Sequence, residues 1–267
     1  MTETSARPRL FCATMLLVAA YVVGLLAAML LWPALPQDPA YHAFASRTSP
    51  GIDLANVLTN VAYLLAGTMG LVVIGRGAAF ASGLERTLAQ LFFASLFATG
   101  LGSAWYHHAP DNLSLFWDRL PLSVVLVSVT ALMIAERTHV DRAGSAPVVV
   151  WLFVGPLAVI YWHLTETFAT GDLRPYLALH AMVIVVPPLA FMLPARYTHT
   201  RGYLIALTLY LFGYLGDRLD HQIYALTGEF VSGHNIKHVA TGAAAAMVAW
   251  TMSKRQPIQS SAAVSGR

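Results

Sequence analysis

The stretch GLGSAWYHHAPDNLSLFWDRLP, residues 100–121, joins two long apolar runs of the chain. Its polar residues Ser103, His107 and Asp118 fall where the first run ends and the second begins. Polar and ionisable side chains are costly to bury inside an apolar segment, so their presence there calls for a functional explanation.

The composition is that of an integral membrane protein. Hydrophobic residues make up 57% of the 267 residues and charged residues only 11%, whereas a soluble domain usually carries about 25% charged residues. The single cysteine, Cys12, excludes an intramolecular disulfide and a cysteine-based zinc site. The net charge is +3, and no basic run resembles a nucleic-acid-binding surface, so no nucleic-acid partner is expected.

Eight apolar segments are predicted to cross a hydrocarbon core of about 30 Å as helices. They cover about residues 10–32, 53–75, 86–107, 118–135, 147–164, 175–193, 203–219 and 234–252. The runs lack a two-residue alternation, which favours helices over a β-barrel and predicts an all-α membrane protein. The first segment is interpreted as a retained helix rather than a signal peptide, because it is long and no small-residue cleavage site follows it cleanly.

Basic residues alternate between the two sides that these spans define. One side holds eleven of them, namely Arg7, Arg9, Arg76, Arg86, Arg137, Arg142, Arg196, Arg201, Lys254, Arg255 and Arg267. The other holds five, namely Arg47, Arg119, Arg174, Arg218 and Lys237. The positive-inside rule then predicts that both termini are cytoplasmic.

With this topology, the polar residues of several spans all fall at the non-cytoplasmic end. They are Asp53, Asn56, Asn60, Ser103, His107, Asp118, His163, Glu166, Asp217, Asp220, His221, His234 and His238. One shared pocket on that side is the simplest explanation.

Each of these groups of residues, taken alone, also has a structural interpretation that involves no metal. His234 and His238 are four residues apart and share a helical face, which lets two imidazoles bind one metal ion, but two interfacial histidines would look the same. Ser103 and His107 have the same spacing, and a serine bonded to its own helix beside a lipid-facing histidine is the alternative. Asp118 is expected to open a helix, where a carboxylate also serves as a cap.

Together the residues predict a metal-centred hydrolase. His107, His234 and His238 supply three nitrogen ligands, and a catalytic zinc keeps its fourth position for a water whose pKa it lowers. Asp118 would take a proton from water, and Ser103 would hydrogen-bond an oxyanion. Alternatively, Asp118 would orient a histidine ligand.

The same residues resemble the alkaline ceramidase family, which belongs to a superfamily of seven-helix membrane hydrolases that also includes the progestin/adipoQ receptors. The resemblance lies in Ser103-x-x-x-His107, Asp118, Pro121 and His234-x-x-x-His238. The stretch DLANVLTNVAYLLAG, residues 53–67, is similar to the family's first core helix through Asp53, Asn56 and Asn60, and Asp217 is similar to its late acidic position.

This resemblance implies a seven-helix domain over residues 53–252. Residues 1–52 would then be a cytoplasmic tail, an extra transmembrane helix and a non-cytoplasmic loop, and residues 253–267 a disordered cytoplasmic tail. The short loops and the composition favour a bacterial inner-membrane protein.

The function that the resemblance implies is zinc-dependent hydrolysis of the N-acyl bond of ceramide-like lipids, which releases a sphingoid base and a fatty acid. Asp53 and Asp217 would be supporting partners of the zinc ligands. The family's N-terminal calcium site is not supported, because residues 33–53 contain only Asp38 and Asp53 as acids.

Three other functions fit parts of the pattern. An adipoQ-type receptor would keep the same zinc ligands without turnover. An intramembrane serine protease would use Ser103 with one histidine, but it has no use for three. A haem or transport protein would be expected to carry ligands at more than one depth.

Overall fold

The computed structural model describes residues 6–46, 53–138 and 146–258. Arg47, Arg142 and Arg267, which entered the charge count, lie outside the described residues. The regular secondary structure of the described residues is helical, apart from one isolated β-bridge between Tyr197 and Pro257.

The described residues form long helices joined by short connections. The helices are α1 (Ala6–Leu31), α2 (Leu54–Thr59), α3 (Val61–Gly75), α4 (Gly83–His108), α5 (Asn112–Thr138), α6 (Ala146–Phe168), α7 (Arg174–Phe191), α8 (Arg201–Arg218), α9 (Asp220–Leu226) and α10 (Gly233–Lys254), with a 3-10 helix at Pro39–His42. Each of the eight predicted apolar segments coincides with helix.

Six helical segments of the described chain are long and apolar enough to cross a membrane, which makes this a multi-pass membrane protein. They are Cys12–Leu31, Leu54–Gly75, Gly83–His108, Asn112–Thr138, Ala146–Phe168 and Arg174–Phe191. The other two long helices, α8 and α10, are 18 and 22 residues long but less apolar. Part of the reason is that α8 carries Asp217 and α10 carries His234, Lys237 and His238.

Helix α5 lies at the centre of the bundle and α1 at its edge. In α5, 67% of the most apolar stretch is buried, against 17% in α1. Helix α5 packs against α4, α6 and α7, while α10 packs against α3 and α8, and α1 lies against α5, α6 and α7. The hydroxyls of Ser123, Ser128 and Thr130 donate to carbonyls of their own helix, so α5 is buried without unpaired hydroxyl groups.

Two features of the predicted segments differ from the structure. The second segment is broken at Asn60, which ends α2 and precedes α3 while its side chain donates to the Asn56 carbonyl at 2.8 Å. Asp118 does not open its helix, because α5 begins six residues earlier at Asn112. The capping role is instead taken by Asp111, whose Oδ1 accepts the Ser114 N–H at 2.6 Å.

The described part of the chain continues four residues past α10, to the exposed Ile258. Helix α10 continues to Lys254, and the following Arg255 is 1% exposed and pairs with Glu136 of α5. The remainder of the predicted tail, residues 259–267, lies outside the described residues.

Candidate metal centre

Three buried histidines converge at one end of the bundle. His107 lies in the last turn of α4, and His234 and His238 lie in the first two turns of α10. Their side chains are at most 3% exposed, and the candidate ligand nitrogens all lie within 4.8 Å of one another. The three residues that the sequence nominated as metal ligands are therefore brought together, and the group could bind a metal ion.

The spacing of one pair of these nitrogens matches that of two ligands on one small metal ion. Two imidazole nitrogens bound to one tetrahedral zinc at about 2.0–2.1 Å lie about 3.3 Å apart. The Nε2 atoms of His107 and His234 are 3.2 Å apart. The remaining nitrogen of His107, Nδ1, is buried and has no hydrogen-bond partner among the described residues. Among the described residues, His234 is therefore the one hydrogen-bonding group within reach of the two nitrogens of His107.

The other two histidines are held through their Nδ1 atoms. Nδ1 of His234 lies 2.6 Å from the Asp217 carboxylate, which can only accept, and Nδ1 of His238 lies 2.9 Å from the Thr59 hydroxyl. That hydroxyl has the Ala55 carbonyl at 3.0 Å as its own acceptor. These partners favour the tautomer with the proton on Nδ1, in which Nε2 has the lone pair for a metal.

Close contact between α8 and α10 positions the Asp217–His234 pair. A Cβ on Gly233 would lie 2.0 Å from the Gly216 carbonyl oxygen, so only glycine allows the two helix ends to meet. Lys237, one turn after His234, donates to the same Asp217 oxygen at 3.1 Å. Asp217 is thus shared between a histidine and a cation.

Ser103 and Asp118 face each other across the contact between α4 and α5. A Cβ on Gly102 would lie 2.3 Å from the Trp117 carbonyl oxygen, so the two helices touch at this level. The Asp118 carboxylate lies close enough to the buried Ser103 hydroxyl and to the Lys237 ammonium group to interact electrostatically with both. The two predicted catalytic residues therefore lie together, with Ser103 one turn before His107 on the same helix.

Asp53 supports the site without touching a histidine side chain. Its carboxylate accepts from the side-chain amide of Asn56 at 2.7 Å and from the Ser46 hydroxyl at 2.9 Å, and its backbone N–H donates to the His107 carbonyl at 3.2 Å. Asn56 in turn accepts a hydrogen bond from the side chain of Asn235. Asp53 is thus linked through amides to the first turn of α10.

The segment that precedes α2 covers the histidines and was not anticipated from the sequence. Residues 39–46, here called the cover segment, place the Phe44 ring 4.6 Å from the His107 ring and 4.4 Å from the His234 ring. The Ala45 N–H donates to Asp220 at 2.9 Å. The cover segment therefore limits access of water to the three histidines from this side.

Two further supporting residues were also missed by sequence reasoning. Thr59 and Lys237 carry no motif of their own, and their roles depend on which helices meet. For Lys237, the available signal in the sequence was its position three residues after His234. For Thr59 the helix break at Asn60 was needed, and nothing in the local sequence predicted it.

An apolar cavity lies in the bundle interior next to the histidines. Its volume is about 100 Å³, and its walls come from α3, α4, α5, α7, α8 and α10. At one end it reaches Tyr63, whose ring is 5.5 Å from that of His238, and at the other it reaches Tyr203.

The acids of the N-terminal region have local partners. Asp38 accepts the Ala40 N–H at 2.9 Å at the start of the 3-10 helix, and Asp53 accepts the Asn56 N–H at 3.1 Å at the start of α2. Each carboxylate therefore acts as a helix cap.

No model of a known protein family matches the chain, and no curated protein matches its sequence. The functional proposal therefore rests on the residues of the site.

Proposed function

We propose that the chain is a zinc-dependent membrane amidase that hydrolyses the N-acyl bond of ceramide-like lipids to a sphingoid base and a fatty acid. The observation that carries the proposal is the meeting of three buried histidines, a serine and a carboxylate above an apolar cavity. Buried histidines with lone pairs directed at one another are costly unless a cation binds between them.

His107, His234 and His238 would hold the zinc ion. Nitrogen ligands at this spacing suit zinc, and three protein ligands leave a position open, as in catalytic zinc sites. When bound, zinc would lower the pKa of a water and polarise the amide carbonyl. Asp217 and Thr59 fix the ring orientation of two of the histidines, and Lys237 offsets the charge of Asp217.

Asp118 would transfer the proton, and Ser103 would stabilise the negative charge that develops on the carbonyl oxygen. The Asp118 carboxylate accepts a proton from the attacking water and returns it to the amine nitrogen as the C–N bond breaks. The Ser103 hydroxyl donates a hydrogen bond to the carbonyl oxygen as it gains negative charge. Phe44 covers the histidine rings and keeps bulk water away from the reacting carbonyl.

The cavity would hold the acyl chain. It begins beside His238 at Tyr63 and continues between apolar side chains such as Phe92, Leu96 and Val248. A lipid whose amide lies at the level of the histidines would place its acyl chain in this space. The fit of an apolar chain to an apolar cavity supports a lipid amide over a peptide substrate.

The proposed topology has a seven-helix core over residues 53–252 with α1 as an extra helix outside it. In that arrangement α8 and α10 also cross the membrane, both termini are cytoplasmic, and the site faces the non-cytoplasmic side. The asymmetry of Lys and Arg residues supports this orientation. The packing of α1 on the outside of α5, α6 and α7 supports its place as an addition to the core. A bacterial inner membrane is the proposed location.

The test measures metal content and turnover on the same purified protein. Wild type is expected to contain one zinc per chain and to hydrolyse a fluorescent ceramide, and His238→Ala is expected to lose both. His108→Ala is the matched control, because His108 is exposed and adjacent to His107. Asp118→Asn is expected to keep the metal and to lose about 100-fold or more in turnover.

Three outcomes would contradict the proposal. Bound zinc without turnover of any lipid amide would favour an adipoQ-type receptor. A metal-free protein that reacts with a fluorophosphonate at Ser103 would favour a serine hydrolase. A His108→Ala variant that loses metal as fully as His238→Ala would show that the three buried histidines are not the ligand set.

A further inference from the structure

A buried arginine at the same end of the bundle plays no part in the mechanism above. Arg119 follows Asp118 on α5, and its side chain is 5% exposed. Its Nη1 atom is buried and has no hydrogen-bond partner among the described residues. The ion pairs that the described residues form leave Arg119 out. A positive charge that is always present is therefore buried with no acceptor for its Nη1 atom among the described residues.

Three aromatic rings surround the Arg119 guanidinium. Its carbon lies 4.3 Å from the centre of the Trp162 ring, 5.1 Å from that of Tyr176 and 5.3 Å from that of Tyr41. These rings come from α6, α7 and the cover segment. Cation–π contacts offset part of the cost of burying the charge, but a ring face accepts no conventional hydrogen bond.

A second unpartnered donor lies in the same contact. The Trp162 side chain is fully buried, and its Nε1 has no hydrogen-bond partner among the described residues. Indole and guanidinium groups are donors only, and buried tryptophan N–H groups usually find an acceptor. Two neighbouring donors without an acceptor, one of them on a cation, match an oxyanion such as a carboxylate or a phosphate.

The contact between Arg119 and Trp162 is connected to the histidines through the rings of two residues of the cover segment. Tyr41, which faces Arg119, packs against Phe44 at 6.1 Å, and Phe44 packs directly on His107 and His234. Along α5, Asp118 and Arg119 point about 100° apart. Asp118 therefore faces Ser103, while Arg119 faces α6 and α7. An anionic group held by Arg119 would lie beside the histidine site, with the cover segment bridging the two.

We propose that Arg119 and Trp162 bind the oxyanion of an acidic lipid headgroup, so that among ceramide-like lipid amides this protein prefers those with a carboxylate or phosphate on the headgroup. The substrate assignment rests on the proposed function, whereas the binding of an acidic lipid does not. The observations favour a headgroup over a free ion because the site is buried among aromatic rings, and because Leu122, one turn after Arg119 on α5, lines the apolar cavity.

The test measures binding to full-length protein treated with a chelator, in an uncharged detergent, by calorimetric titration. N-palmitoylglycine and N-palmitoylethanolamine form a matched pair with the same acyl amide and with or without a carboxylate. Wild type is expected to bind the acid at least tenfold more tightly, and Arg119→Gln is expected to lose about 10- to 100-fold in affinity for the acid only. Arg137→Gln is the matched control, because Arg137 is also buried and stacked on a ring but at the other end of α5. It is expected to bind as wild type does.

Two conservative variants keep the proposal testable if Arg119→Gln does not fold. Trp162→Phe removes only the Nε1 donor, and Arg119→Lys keeps the charge but removes the planar fork. Both are expected to bind the acid more weakly than wild type. Equal binding of the two lipids to wild type, or unchanged preference in both conservative variants, would overturn the proposal. Binding of inorganic phosphate that needs Arg119, without binding of the acidic lipid, would overturn the headgroup assignment.

The test separates this proposal from the proposed function. Binding by the chelator-treated protein requires neither zinc nor turnover, so preference for the acid stands even if no amide is hydrolysed. If ceramide is hydrolysed but Arg119 variants bind N-palmitoylglycine as wild type does, the amidase stands and the headgroup site fails.

Discussion

The Asp217 carboxylate lies 2.6 Å from Nδ1 of His234, on the opposite side of the ring from the Nε2 atom that faces His107. A carboxylate in this position fixes the ring and raises its basicity as a metal ligand, and losing such a partner typically costs about 10- to 100-fold in metal affinity. Asp217→Asn is therefore expected to bind zinc about 10- to 100-fold more weakly, as measured by competition with a chromogenic chelator.

The control for Asp217→Asn is Asp172→Asn. Asp172 is a buried carboxylate that pairs with Arg174 at 2.6 Å before α7 and contacts none of the three histidines. It is expected to lower thermal stability without changing zinc affinity. Equal loss of zinc in the two variants would mean that Asp217 acts only on stability.

Thr59 orients His238 in the same way but with a neutral group. Its hydroxyl accepts from His238 Nδ1 at 2.9 Å. Thr59→Val keeps the shape and leaves the Nδ1–H unpaired, so a roughly tenfold loss of zinc affinity is expected. Thr59→Ser, which restores the hydroxyl, is expected to recover most of that affinity. Failure of serine to rescue would indicate that the methyl group of Thr59 matters rather than its hydroxyl.

The sequence predicted the site residues that share a helical face through their spacing, and it missed those whose position depends on how the helices pack. His234 and His238 share a face because of their spacing, and hydropathy placed His107 at the level of α10. Thr59 reaches His238 because α2 ends at Asn60, a break that no glycine or proline announces. Phe44 reaches the histidines because the cover segment folds back over them, and its contacts lie between residues far apart in the chain.

The position of Asp118 shows where local reasoning fails. A polar residue at the edge of an apolar run is expected at a helix start, but the helix extends further than the apolar run. Asp111 and Ser114 form a local cap that begins α5 within the polar stretch. Asp118 therefore lies inside the helix, and its local use as a cap is excluded.

Gly102 permits the contact between α4 and α5 that puts Ser103 next to Asp118. Because a Cβ there would lie 2.3 Å from the Trp117 carbonyl oxygen, Gly102→Ala must push the helices apart. Such overpacking costs about 1–3 kcal/mol. We expect a lower melting temperature and a larger fractional loss of turnover than of bound zinc. The reason is that the contact joins α4 to α5, whereas the histidine ligands lie on α4 and α10. Gly24→Ala is the control, since a Cβ at Gly24 meets nothing within 4 Å. Equal effects of Gly102→Ala and Gly24→Ala would contradict the role given to the contact between α4 and α5.

The far end of the bundle is held by a buried ion pair that has no place in the proposed chemistry. Nη1 of Arg255 donates to Glu136 and to the Tyr203 hydroxyl, and Nε and Nη2 donate to the Ala79 carbonyl at 3.0 and 2.8 Å. Removing one partner of a buried pair leaves an uncompensated charge and typically costs about 3–5 kcal/mol. Glu136→Ala is therefore expected to lower thermal stability by about that amount in a detergent melt.

The reason for the loss is tested by a double variant. Glu136→Leu combined with Arg255→Met removes both charges and is expected to be closer to wild type in stability than Glu136→Ala, because replacing a whole buried pair by apolar side chains is often neutral. Zinc content is expected to stay at the wild-type level in both proteins, since the histidines lie at the opposite end of α10. A double variant less stable than Glu136→Ala would show that the pair contributes more than the avoidance of an unpaired charge. Loss of zinc from a folded Glu136→Ala protein would show that the two ends of the bundle are coupled.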